Sequence, residues 1–97
     1  MHKISEDVLR HIMRRHGYDI RKTLRILTLE ELKRIIIDTI NNPSEVYQDV
    51  HNPDVRYYLK RLGDLWLNVV VRGNEVKTAY LIGAKSYKRF KTRRWTW

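Results

Sequence analysis

The chain of 97 residues has no cysteine. Disulfides, thiolate nucleophiles and cysteine-bound zinc are therefore excluded, and a reducing compartment is permitted. Proline and glycine are few, two and four, and there are no repeats, low-complexity tracts or flexible linkers. No apolar run approaches the length of a membrane span. The N-terminus lacks the apolar segment of a secretory signal, so a cytoplasmic protein with no membrane partner is expected. The length suits one domain, residues 1–97, with a single modest core.

Acidic residues are scarce in one half only. Residues 1–51 hold 9 Lys/Arg against 8 Asp/Glu, whereas residues 52–97 hold 11 against 3, within a net charge of +9. A one-sided basic field calls for a polyanion: RNA, DNA or a membrane surface.

What is present is organised around residues 55–82, VRYYLKRLGDLWLNVVVRGNEVKTAYLI. Runs rich in Val, Tyr, Leu and Trp, broken by Gly63-Asp64 and Gly73-Asn74, predict consecutive hairpins with strands at 55–61, 65–72 and 75–82. With Leu62, Gly63 and Asp64 as a three-residue loop, Leu59 faces Leu67, Tyr57 faces Val69 and Val55 faces Val71. That face should be buried, because register follows the hydrophobic pattern. The opposite face then carries Arg56, Tyr58, Lys60, Trp66, Asn68 and Arg72. It reads either as an ordinary solvated sheet face or as an RNA surface, where rings stack on bases and cations meet phosphates. The third strand has two registers. A two-residue turn at Gly73-Asn74 buries Thr78 and Tyr80; a three-residue loop turns both to the open face.

Residues 4–16 predict a first helix. Ser5 is its N-cap, Val8, Leu9, Ile12 and Met13 its apolar stripe, and Gly17 its stop. His11 and His16 lie about 140° apart around such a helix, so they cannot share a metal. Residues 18–27 are either a helical turn or an irregular connection. Thr28 with Glu31 is a capping box opening a helix over 28–41, and Asn42-Pro43 closes it. Residues 45–51 suit a further strand. The tail, 83–97, has six Lys/Arg and no acid, interleaved with Tyr87, Phe90, Trp95 and Trp97. It reads as an edge strand guarded by lysines, as a basic clamp on a phosphate backbone that includes Lys85, Lys88 and Arg89, or as both. The expected fold is α+β: two N-terminal helices on one face of a four- to five-stranded antiparallel meander, the basic face left open.

RNA cleavage by its own 2′-OH needs a base, cations on the developing phosphorane charge, and an acid for the 5′ oxygen, with no cofactor. Histidine suits the base role near neutral pH. Arg56 and Lys60 flank Tyr58 at alternate strand positions, so all three project together and suit a phosphate. Against this, His16 also reads as a helix-end histidine at the negative dipole end, and Tyr80 as a core aromatic.

Five short stretches carry a resemblance. They are His11-Ile12 to Arg15-His16, Asn42 to Tyr47 (NPSEVY), Arg56 to Lys60 (RYYLK), Val69-Val70-Val71, and Thr78-Ala79-Tyr80. In this order they resemble the barnase–EndoU–colicin–RelE-like ribonuclease superfamily, its small phage and toxin branches most of all, over most of the chain. The resemblance implies a small metal-independent endoribonuclease, often a toxin held by an acidic antitoxin or immunity protein. It implies a site drawn from His16 or His11, Arg56, Lys60, Thr78 and Tyr80, with Lys85 and Ser86 beside it. A non-catalytic nucleic-acid binder would need the cations and aromatics alone.

Overall fold

The computed structural model describes residues 2–26 and 28–96. Leu27 in the first connection and Trp97 at the tail's end, both read above, lie outside the described residues. The order is α1 (Glu6–Leu24), α2 (Leu29–Asn41), β1 (Glu45–Asp49), β2 (Val55–Leu62), β3 (Leu65–Arg72), β4 (Glu75–Ile82), α3 (Ala84–Arg93) and β5 (Trp95–Thr96). The strands form one antiparallel sheet in the order β4-β3-β2-β1-β5. The two N-terminal helices pack on one face of it, which makes the fold α+β. No helix among the described residues is long and apolar enough to cross a membrane.

Local signals set most boundaries. Ser5 Oγ accepts from the Val8 amide at 3.1 Å and starts α1. The capping box forms as read: Thr28 Oγ1 accepts from the Glu31 amide and donates to the Glu31 carboxylate, both at 3.1 Å. Gly17, however, does not stop α1. Ile20 and Leu24 continue the apolar stripe, and Ile20 is fully buried. The helix ends instead at Arg25, whose φ of 56° is the left-handed conformation of a helix terminus.

Both hairpins turn on two residues, with Gly63 at φ 64° and Gly73 at φ 61° in the first place. Glycine at that place gives a tight turn whose twist matches the strands. The expected three-residue loop at Leu62–Asp64 is thus wrong by one residue. Leu62 pairs Leu65, Tyr58 pairs Val69 and Leu59 pairs Asn68. A slip of one exchanges the faces of β2 relative to β3. In the second hairpin, a register shift between Val70 and Val71 leaves Lys77 as an extra residue, so that Val71 pairs Val76 while Val70 pairs Thr78. That bulge removes the conflict in β4. The turn is short and Val76 is buried with the helices, yet Thr78 and Tyr80 lie on the opposite face, level with Val70 and Asn68.

Each face has its own core. Leu9, Ile12 and Ile20 of α1 and Leu32, Ile36 and Ile40 of α2 close on Leu67, Val69, Val71, Val76 and Ala79. On the other side Tyr47, Tyr57, Leu59, Trp66, Ile82 and Trp95 gather under Tyr87 and Phe90. The tail therefore departs from expectation. Only Trp95–Thr96 is an edge strand, while Ala84–Arg93 is a helix. Tyr87 and Phe90, three apart, form its inner side, and it lies across the sheet face that was expected to stay open.

Candidate functional site

The slip in register divides the residues expected to act together. Arg56, Tyr58 and Lys60 stand on the α1–α2 side. Lys60 Nζ is ion-paired with Asp38 of α2, and this partner holds the Asp38 carboxyl below its usual range. Tyr58 packs against the helix-side core, with the His2 ring edge-on at 5.7 Å. Arg56 is exposed. The three do project from one face, as expected, but none shares it with Trp66, Arg72, Thr78 or Tyr80, so the residues expected to act together are divided between the two sides. Arg72 Nε pairs with Asp54 at 2.8 Å.

On the other face the structure joins residues from both ends of the chain. The His16 ring, near the middle of α1, meets the Tyr80 ring of β4 at 5.4 Å between centroids. β4 is the sheet's outer strand, so this contact sits at the edge. It is His16 rather than His11 that reaches Tyr80. Burial, then the nearby His11 and Arg15 charges, push the His16 pKa down; Asp19 opposes them. The imidazole is therefore neutral at pH 7, able to accept a proton. Burial raises the Tyr80 pKa, with Asn68 and Arg94 pulling the other way, so its hydroxyl keeps its proton. Tyr57 also stays protonated, through burial and through donating to Asp49 Oδ1 at 2.5 Å.

Asn68 pairs Tyr80 across the strands and is fully buried. Its amide approaches the Tyr80 hydroxyl closely enough to lower that group's pKa, yet neither of its atoms makes a bond of full hydrogen-bonding geometry. Leaving such a group dry and unpaired costs about 1–3 kcal/mol. Nearby, Glu45 of β1 accepts from both the Tyr47 and Tyr87 hydroxyls. Burial alone would raise its pKa; those hydroxyls, the approach of the Trp66 indole and the charge of Lys91 outweigh it and hold the carboxyl low. Trp66 stacks on Tyr87, centroids 4.1 Å apart and planes within 6°. Trp66 is thus inside the molecule, beneath α3, rather than on an open surface.

The solvent side of α3 carries Lys85, Lys88, Arg89, Lys91 and Arg93, all exposed, with Arg94 following and Ser86 half-buried. The tail's cations are therefore displayed from a helix rather than from a strand. Among the described residues no group of three His, Asp or Glu side chains could hold a metal ion. Surface hollows of about 310–530 Å³ are lined by α1, α2, the N-terminal segment and Ile26 of the connection between the helices. The face of Asn68 and Trp66 contributes to none of these, because α3 lies over it. Glu45 and Arg94 were not singled out as site residues by the sequence reading, appearing there only within the NPSEVY stretch and among the tail cations, and Asn68 appeared only as one side chain of the face expected to stay open. No family model, curated protein or solved structure matches this chain.

Proposed function

We propose that the protein is a metal-independent endoribonuclease working at the β4 edge, with RNA held by the cations of α3. The contact of His16 with Tyr80 carries this reading. It sets the ring of a neutral imidazole against the ring of a protonated tyrosine, with the Asn68 amide across the strands from Tyr80 and the more basic half of the chain supplying β4 and α3. The 2′-OH of the substrate gives its proton to His16 as its oxygen attacks the phosphorus. Arg94 and Lys85 meet the phosphorane charge. Tyr80 gives its proton to the departing 5′ oxygen, and the imidazolium then returns one to Tyr80. The products are a 2′,3′-cyclic phosphate and a 5′-hydroxyl. In the family that the sequence resembles, Thr78 would line this site and an acidic antitoxin or immunity protein would cover the α3 cations. Action on cellular RNA would place the protein in the cytoplasm.

Incubation of purified protein with mixed RNA in EDTA tests this. Cleavage leaving cyclic phosphate ends, abolished by His16→Ala, is expected. Activity that vanishes in EDTA and returns with magnesium refutes the mechanism. The exposed cations of α3, with no acid among them, also support a plain nucleic-acid binder. Tight, salt-sensitive RNA binding without cleavage of any RNA would favour that reading.

A further inference from the structure

Among the described residues, four buried side-chain polar atoms make no hydrogen bond of full geometry: Trp66 Nε1, which only approaches Glu45, Asn68 Nδ2 and Oδ1, whose amide only approaches Tyr80, and Trp95 Nε1. All four belong to the α3 side of the sheet. Native interiors leave few such atoms, and each calls for a cause. Here they gather under one helix of 10 residues, none of them buried, whose N-cap Gly83 offers no side-chain bond. Three of its side chains reach the sheet, Lys91 with its ammonium 6.0 Å from the Tyr47 ring centre. Phe90 lies 5.4 Å from Trp95, and Tyr87 stacks on Trp66 while its hydroxyl donates to Glu45.

The pose of Tyr87 is that of a bound base: a flat ring at stacking distance on an indole, with a donor aimed at a carboxylate. We propose that α3 is a displaceable cover, and that the surface beneath it binds a nucleobase bearing an exocyclic amino group, in single-stranded RNA. Tyr87 occupies the place of the base. When α3 lifts, the base stacks on Trp66 and its amino group donates to Glu45 instead of the tyrosine hydroxyl. Asn68 lies two residues along β3 on the same face, about 7 Å away. Its amide offers a donor and an acceptor together, the pair that matches an adenine edge. Uracil has no amino group to replace the Tyr87 hydroxyl, so Glu45 keeps the Tyr47 hydroxyl but loses that of Tyr87 with no exocyclic donor in its place. The proposal rests on RNA being the ligand, as in the reading above, and not on cleavage.

The test uses uncleavable 2′-O-methyl oligomers of A, C and U with the full-length protein, followed by tryptophan fluorescence at fixed low salt. A and C oligomers should quench Trp66 and bind more tightly than U. Tyr87→Ala should tighten A and C roughly tenfold, if the open form is about a tenth of the wild-type population. Asn68→Leu should raise the melting temperature while reducing the preference for A. In the wild type, amide exchange of α3 should be faster than that of β3, and faster still with A oligomer bound. Equal binding of A, C and U overturns the proposal but leaves RNA as ligand. So does a lowered melting temperature for Asn68→Leu with base preference intact, or α3 amides protected as well as those of β3. Absence of binding to every oligomer at low salt overturns RNA as the ligand itself.

Discussion

The sheet's two faces are built from different chemistry. Under α1 and α2, Leu67, Val69, Val71, Val76 and Ala79 meet aliphatic residues and are almost wholly buried. Under α3, Tyr47, Tyr57, Trp66, Asn68, Tyr80 and Trp95 bring hydroxyls, indoles and an amide into the interior beside Glu45 and Asp49. Aliphatic burial is non-directional and stabilises in proportion to area. Buried polar groups stabilise fully only when every bond is well made, and on the α3 side four atoms make none of full geometry. Stability is concentrated on one face, and the polar groups with unmet demands on the other.

The largest effect that sharpens this contrast is loss of stability on the aliphatic side. Leu67→Ala should cost about 2–5 kcal/mol in denaturant unfolding, because it leaves a cavity in a fully buried site. Phe90→Ala on half-buried α3 should cost about 1 kcal/mol. Equal losses would break the comparison.

Next in size is catalysis. His16→Ala should slow RNA cleavage by roughly a hundredfold or more, as expected for a general base. An uncleavable 2′-deoxy strand should still bind, because a base acts in the chemical step. Arg56→Ala and Lys60→Ala, on the other side of the sheet, should leave the rate nearly unchanged; a large loss from either would move the site to the wrong face.

Acid should undo the α3 side first. His16 belongs to α1 and reaches the α3 side only through its ring contact with Tyr80; its pKa is lowered in the fold, so the unfolded chain takes up its proton first as pH falls through about 6.5, and that contact weakens from there. Glu45 and Asp49 also have lowered values. Their contribution is present above the unfolded carboxylate range and is lost as pH falls through their folded values. Trp66 and Trp95 report on this side. Their fluorescence should therefore change at a higher pH than the far-UV circular dichroism, and coincident transitions would show that the two faces open as one.

The sequence revealed what depends on near neighbours. Ser5, the Thr28–Glu31 box and the two Gly-initiated turns act within four residues, and the strand limits of β3 and β4 came out as read. The pairing did not, because β3 is apolar on both faces: Leu67, Val69 and Val71 on one, Trp66 and Val70 on the other. A strand with two apolar faces cannot say which is inside, so one residue of loop length decided the outcome and sent Arg56, Tyr58 and Lys60 to the helices. In the tail, Tyr87 and Phe90 have helical spacing, but six cations conceal so narrow a stripe. His16 and Tyr80 were each among the residues that the resemblance implied, with His11 as the alternative to His16, but not as a pair. The face of Tyr80 is set by the bulge at Lys77, which has no local signal strong enough to read.

The smallest expected effect separates the two sides without touching either core. Gly17 is buried in the middle of α1 with an ordinary helical backbone. A Cβ there would meet Met13 Cβ and Sδ at 3.8 Å and Arg21 Cζ at 3.9 Å, all ordinary contacts. Glycine inside a helix costs roughly 0.5–1 kcal/mol relative to alanine, largely through the freedom it gives the unfolded chain. Gly17→Ala should therefore raise stability by about that amount in denaturant melts. Because α1 packs on β4 and α3 is fastened by Tyr87 and Phe90 elsewhere, amide exchange within α3 by local opening should not change. If it slows together with the rest of the molecule, α3 opens only when the whole fold does, and the two faces are not energetically separate.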